Sequence, residues 1–371
     1  MTDPAVKMKA RFLLLAISAV LGVLSCGKET PKAPLDDPFE LNPSSAEIAA
    51  DGGVVQIKVS GTRAFHVSSH PDWVSEPSVK DRLITLSAGN NDTGEERRGV
   101  VAVCDDSGAC LSCLLTQKAP AVAPVLSNWD DPFPHKSLFF RFTATWCGWC
   151  PRMAASVKLA QEQNPDKLLL MNVHGYDSEL EFSQVGKLMD LYKIDGYPSG
   201  IVDGRRLVQN YDSGTTAANI GKFIRETEDH YPTASRIAFH SELKARKLDI
   251  DLYLYFRYAD AYKVTVVLLE DGVIAPQANF EGKAEPAYEH NDVLRIPVTN
   301  ILGDAVVPGE DRVMEQRKYS VTIPQEYKPE KMKILVAVQR PFGEQEVLSG
   351  GYGSYYVDNC ACDQAGADLP L

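Results

Sequence analysis

The motif Trp146-Cys147-Gly148-Trp149-Cys150 closes the apolar run that extends from Ser137 to Thr145. Two cysteines at this spacing, placed where a strand hands over to a helix, have the arrangement that thiol–disulfide exchange requires. Free backbone N–H groups and the helix dipole at a helix N-terminus favour a thiolate over a thiol at the first cysteine. The second lies less than a turn later, within reach of a mixed disulfide at the first. Cys147 is therefore the expected nucleophile and Cys150 the resolving thiol. A stable structural disulfide is the bland alternative.

The first residues bear on the compartment. Lys7, Lys9 and Arg11 precede an uncharged apolar run from Phe12 to Leu24, followed by Ser25-Cys26; Met8 offers a second possible start. The run falls short of the ~20 residues that a membrane-spanning helix needs. It fits the apolar region of a secretory signal. Small residues before a cysteine resemble the bacterial lipobox, in which the cysteine is acylated and becomes the mature N-terminus. This implies lipidation of Cys26 and a membrane anchor; an ordinary cleaved signal with an incidental cysteine is the alternative.

The net charge of −12, with no lysine-arginine block after the signal, argues against a nucleic-acid partner. Eight cysteines suit an exported chain. Setting aside Cys26, Cys147 and Cys150 leaves Cys104, Cys110, Cys113, Cys360 and Cys362. The remainder is odd, so at least one thiol is free or pairs outside the chain. Cys104 and Cys110 flank a hairpin turn and are expected to be joined. Cys360-Ala361-Cys362, in a tail, reads as a bridge or a frayed, reactive pair. A zinc site combining Cys110 and Cys113 with Cys147 and Cys150 is disfavoured, because the gap exceeds the usual ~15–20 residues. No metal and no cofactor are expected.

After a proline-rich tether, short β runs fill Glu40 to Ala119, with turns at Asp51-Gly52-Gly53, Gly89-Asn90-Asn91 and Asp105 to Gly108. An all-β sandwich follows. The next segment reads strand (138–145), helix (about 148–163), strand (167–173) and a helix from Ser178 opened by the capping box Ser178-x-x-Glu181. A hairpin across Asp203-Gly204 and a helix over about 215–228 complete it. Beyond residue 234, strict alternation in Leu248 to Leu254 and further β runs at 264–269, 293–298, 319–323 and 334–338 predict a second sandwich.

Three resemblances follow from these residues. Trp73-Val74, Asn91, Arg98-Gly99 and Gln117-Lys118-Ala119 resemble the BACON domain, named for carbohydrate binding, although Trp73 reads more as core than as a sugar platform. The order of elements in the middle segment resembles the thioredoxin fold. With Thr143-x-Thr145-Trp146-Cys147-Gly148-x-Cys150-Pro151, Gly196-Tyr197-Pro198 and His290 to Arg295, the chain resembles a thioredoxin-like outer-membrane lipoprotein family of Bacteroidetes. The resemblance implies a cis Pro198 facing the cysteines and substrate contact at Trp146, Trp149, Tyr197 and Pro198. Thioredoxins commonly carry a buried acid six residues before the first cysteine. Here that residue is Arg141, and Glu179, Glu181 or Asp195 would have to replace the acid. His174, ending a strand near the pair, reads as structural.

The expected architecture is multidomain: signal peptide 1–25, tether 26–38, BACON-like β-sandwich 39–119, α/β thioredoxin-like domain 125–233, C-terminal β-sandwich 234–358 and tail 359–371. The expected function is a lipid-anchored thiol–disulfide oxidoreductase of the outer membrane. Its partners would be envelope proteins with cysteines, with glycans a further ligand of the N-terminal domain. The alternative is a surface adhesion or glycan-binding lipoprotein with a non-catalytic thioredoxin-like scaffold.

Overall fold

A computed structural model describes residues 38–209, 211–343 and 354–371. The expected signal peptide, Cys26 and nearly all of the tether lie outside the described residues. The chain divides between Pro120 and Ala121 into two compact units.

In the first unit, apolar residues at every second position build β1 (Leu41–Asn42), β2 (Ser45–Ile48), β3 (Gly53–Val59) and β4 (Phe65–Ser69). They are followed by β5 (Ser78–Lys80), β6 (Leu83–Ala88), β7 (Arg97–Asp105) and β8 (Cys110–Gln117). Two four-stranded sheets result, ordered β1-β3-β6-β5 and β2-β8-β7-β4. Val55 and Ile57 of β3 and Ile84 and Leu86 of β6 share one core with Val101, Val103 and Leu115. Cys104 and Cys110 face each other across β7 and β8 and are disulfide-bonded, as expected. Trp73 packs against this core, with the Arg97 guanidinium 4.8 Å from its ring centroid. Buried Asn91 donates its side-chain amide to the carbonyls of Glu95 and Lys118, both at 2.8 Å.

The second unit opens with β9 (Ser137–Thr143), α1 (Cys150–Gln163), β10 (Leu168–His174), α2 (Val185–Tyr192), β11 (Ser199–Val202), β12 (Arg206–Val208) and α3 (Ser213–His230). Every residue of β9 is buried, as a central strand covered on both faces requires. Phe139 faces Met153, Val157 and Ile220 of α1 and α3. Phe140 and Phe142 face Val185, Leu188 and Tyr192 of α2. The second helix begins at Val185 rather than at Ser178. The Ser178 hydroxyl accepts the Thr145 and Leu180 N–H groups, and Glu181 accepts the Asp177 N–H at 2.9 Å. The expected capping box thus closes a turn that straps the loop after β9.

Beyond residue 234 come β13 (Ser235–Lys244), β14 (Lys247–Phe256), β15 (Tyr262–Glu270), β16 (Val273–Ala278), β17 (Ala284–His290) and β18 (Val293–Pro297). Then follow β19 (Asp304–Val306), β20 (Val313–Thr322), β21 (Met332–Pro341), β22 (Tyr355–Gln364) and β23 (Asp368–Leu369). Nine strands form one sheet along β12-β11-β9-β10-β18-β15-β21-β22, with β19 also on β15. The thioredoxin strands and half of the C-terminal sandwich therefore share a sheet. The other half, β20-β14-β13-β23, covers it through Phe239, Leu252, Leu254, Val264, Val266 and Val336.

The joint between β10 and β18 is made by the His290 to Arg295 motif. Asn172 donates its backbone N–H to the Asp292 carbonyl at 2.8 Å and its side-chain amide to the Asn291 carbonyl at 2.6 Å. Arg295 pairs with buried Glu270 at 2.9 Å. The expected tail at 359 is instead largely strand. Cys360 and Cys362 lie two apart on β22 and line the same core as free thiols. Burial pushes the Cys360 thiol well up and that of Cys362 to about 12, so neither is the reactive or bridged pair expected.

Candidate functional site

The site is assembled where β9 ends. The chain leaves the sheet at Ala144, and the Cys147 N–H returns to the Ala144 carbonyl at 3.1 Å, making a tight turn. The helix starts at Cys150, with Pro151 in its first turn, where a missing N–H costs nothing. Cys147 therefore sits just before the helix, and its carbonyl accepts the Cys150 N–H at 3.3 Å. The two cysteines form a disulfide with a Cα–Cα distance of 5.4 Å. Both are nearly covered, at 4% and 2% exposure, and Ala144 and Tyr197 pack against them.

The Tyr197–Pro198 peptide bond is cis, as the resemblance implies. Trp146 meets the Tyr197 ring edge-on at 5.7 Å and donates its indole N–H to the Tyr176 carbonyl at 3.0 Å. Gly175 is required here, because a Cβ would fall 1.9 Å from the Tyr197 hydroxyl. Trp146 and Trp149 are about half exposed beside the buried sulfurs. The structure thus brings Trp146, Cys147, Cys150 and Tyr197 together, with Pro198 in the adjoining peptide bond and Trp149 beside the second cysteine.

Residues of the β16–β17 hairpin also enter the site. The Gln277 side chain is buried, and its amide nitrogen lies 3.0 Å from the Cys147 carbonyl oxygen and 3.2 Å from that of Thr145. The Ala278 N–H donates to the Thr145 carbonyl at 2.7 Å. Phe280, at the hairpin tip, stacks on Trp149, whose ring also meets Tyr211 at 5.2 Å. Sequence reasoning missed these residues. A lone Gln-Ala in an apolar stretch carries no signal, and the loop it serves lies far away along the chain.

Beneath the loop, basic groups replace the expected acid. Arg141 is buried on β9, and its Nε has no hydrogen-bond partner among the described residues. Burial lowers its pKa, although the charges of Tyr288 and Asp292 oppose this. His174 ends β10 with its ring 5.3 Å from that of His290. Burial, then His290 and Arg141, push the His174 pKa well down; burial and Arg141 push His290 down to about 4. Both rings are held neutral near pH 7. Glu179, Glu181 and Asp195 are all exposed and supply no buried carboxylate.

Comparison with known proteins agrees with this geometry. The thioredoxin family model matches residues 125–226. The centre of the chain is a thioredoxin domain. The model for outer membrane protein Omp28 matches residues 186–348, running from inside the thioredoxin domain through the hairpin and the joint. The chain thus carries a thioredoxin domain and, overlapping and following it, a region similar to the Omp28 outer membrane protein family. HBP35 of Porphyromonas gingivalis is similar in fold, with a TM-score of 0.51 and 17% identity over 64% of this chain and 78% of that one. A structural-genomics protein of Agrobacterium tumefaciens aligns with a TM-score of 0.38 and 15% identity, over 65% of this chain and 99% of that one. A protein from Bacteroides thetaiotaomicron aligns with a TM-score of 0.21 and 17% identity, over 26% and 100%. No curated protein matches the chain.

Proposed function

We propose that this protein is an envelope thiol–disulfide oxidoreductase, anchored by acylated Cys26, which exchanges its Cys147–Cys150 disulfide with cysteines of other envelope proteins. The observation that carries the reading is this disulfide, at the start of α1, packed against Tyr197 of the Tyr197–Pro198 loop. A helix N-terminus favours a thiolate at the cysteine that precedes it, and here that cysteine is Cys147.

In the reducing direction, the Cys147 thiolate attacks one sulfur of a substrate disulfide and expels the other as a thiolate, leaving a mixed disulfide. The Cys150 thiolate then attacks the Cys147 sulfur and expels the second substrate thiolate. The substrate gains two electrons and takes up two protons, and the Cys147–Cys150 disulfide is regenerated. Substrate oxidation is the same sequence reversed. Trp146, Trp149, Tyr197 and Pro198 are assigned to substrate contact.

Titration of the full-length protein against glutathione tests the redox reading. A reversible two-electron couple at Cys147 and Cys150 is expected. A disulfide that glutathione cannot reduce, like structural bridges below about −300 mV, would contradict it.

A further inference from the structure

We propose that the β16–β17 hairpin is a working part of the redox site, with Gln277 as the positioning residue that holds the Cys147 loop in the geometry of its disulfide. The inference rests on the assignment of Cys147 and Cys150 as the redox pair.

Within the turn from Ala144 to Gly148, the Ala144 and Cys147 carbonyls accept the Cys147 and Cys150 N–H groups, and the hairpin supplies further donors to them and to the Thr145 carbonyl. The Gln277 amide nitrogen lies 3.3, 3.2 and 3.0 Å from the carbonyl oxygens of Ala144, Thr145 and Cys147, and 3.0 Å from that of Ala278. Its two hydrogens are shared among these acceptors. The Ala278 N–H adds a backbone bond to Thr145 at 2.7 Å. At Gly148 the approach is so close that a Cβ would lie 2.9 Å from the Asn279 carbonyl oxygen. The hairpin is itself fixed at its base, where the Gly272 N–H donates to Asn291 at 2.8 Å and the Asp292 N–H to Asp271 at 2.7 Å.

This clamp has a redox consequence. Reduction by glutathione converts the disulfide and two glutathione thiols into two protein thiols and glutathione disulfide. The protein sulfurs must then separate from bonding distance to van der Waals contact, and the loop must relax with them. A clamp on the loop carbonyls opposes that relaxation and keeps the two thiols at high effective concentration. Gln277 therefore favours the disulfide, and its loss makes the pair easier to reduce.

The test is titration of full-length wild type, Gln277→Met and Gln277→Glu against glutathione redox buffers, with thermal melting alongside. Met keeps the shape and removes both donors. Its equilibrium is expected to shift roughly three- to tenfold toward the dithiol, the scale of one lost hydrogen bond. Tenfold corresponds to about 30 mV for a two-electron couple. Glu donates while neutral and sets a carboxylate against carbonyl oxygens once ionised, so its departure from wild type should grow with pH. If Met does not fold, the Glu series decides alone. A potential equal to wild type in the folded variants, whatever the melting temperature, would overturn the role of Gln277 and leave the redox pair standing. A wild-type disulfide that does not equilibrate with glutathione would remove both.

Discussion

Trp149, inside the redox motif, and Phe280, at the hairpin tip, stack with ring centroids 5.6 Å apart and planes 19° from parallel. The Arg152 guanidinium lies 5.6 Å from the first ring and 5.2 Å from the second. The stack ties the hairpin tip to the motif that carries the nearly covered disulfide. Phe280→Ala should cost about 0.5–1.5 kcal/mol beyond lost area and speed reduction by dithiothreitol several-fold. It should leave the equilibrium potential unchanged, because Gln277 remains. Stopped-flow reduction followed by tryptophan fluorescence measures this, and an unaltered rate would argue against a restraint by the tip.

A second prediction concerns His135. Ser137 gives its single hydroxyl hydrogen to Asp203 at 2.8 Å, so the His135 Nε2 at 3.0 Å must donate to Ser137. The Nδ1 of the same ring faces the Asp358 carbonyl at 3.0 Å and the Thr233 hydroxyl at 3.3 Å; donation to the nearer carbonyl makes both ring nitrogens donors, which is the imidazolium form. Burial alone would lower the His135 pKa, but the Asp203 carboxylate, 3.7 Å from Nε2, together with Asp358 outweighs it and raises the value. A raised folded-state pKa gives stability that is complete below the unfolded value of about 6.5 and is lost as pH rises through the folded value. His135→Gln should lose roughly 1.5–3 kcal/mol at pH 6 and less at higher pH. Urea unfolding across this range checks it; a loss independent of pH would contradict the charged ring.

His290 acts at the other end of the scale. Its folded pKa is near 4, so between about 6.5 and 4 the unfolded chain binds the proton and the folded chain does not. Stability must fall as pH drops through this window, by up to about 3 kcal/mol at 1.36 kcal/mol per unit. His290→Gln should make this acid limb shallower, leaving the part that His174 contributes. An equally steep limb in the variant would place the titration elsewhere.

The thioredoxin order of elements was legible because its strands are continuous apolar runs and Asp203-Gly204 supplies the two positive φ angles of a tight hairpin. The redox turn and Pro198 were legible for the same reason, since their chemistry is written in adjacent residues. The start of α2 was not, because Ser178 and Glu181 have the letters of a capping box while the Ser178 hydroxyl is engaged by Thr145. The Cys360 segment was misread through its position near the end of the sequence, although pairing with β21 buries it. Gln277 was invisible because its partners come from a distant turn and neither sequence marks the other. The shared sheet was equally hidden: Asn172 meets Asn291 and Asp292 at their backbone carbonyls, which any residues at those two positions could supply.

Membrane attachment gives a separate prediction. Cys26→Ala should yield uncleaved or soluble protein and abolish metabolic labelling with palmitate. Variant protein that stays labelled and membrane-bound would contradict acylation at Cys26.

The most direct measurement is a mixed-disulfide trap in the envelope with Cys150→Ser in the full-length chain. Removing the resolving thiol should leave Cys147 covalently bound to other envelope proteins. Adducts should appear on non-reducing gels, collapse on reduction and vanish in the Cys147→Ser, Cys150→Ser double variant. A folded, membrane-located Cys150→Ser protein that forms no adduct with any envelope protein would contradict the account.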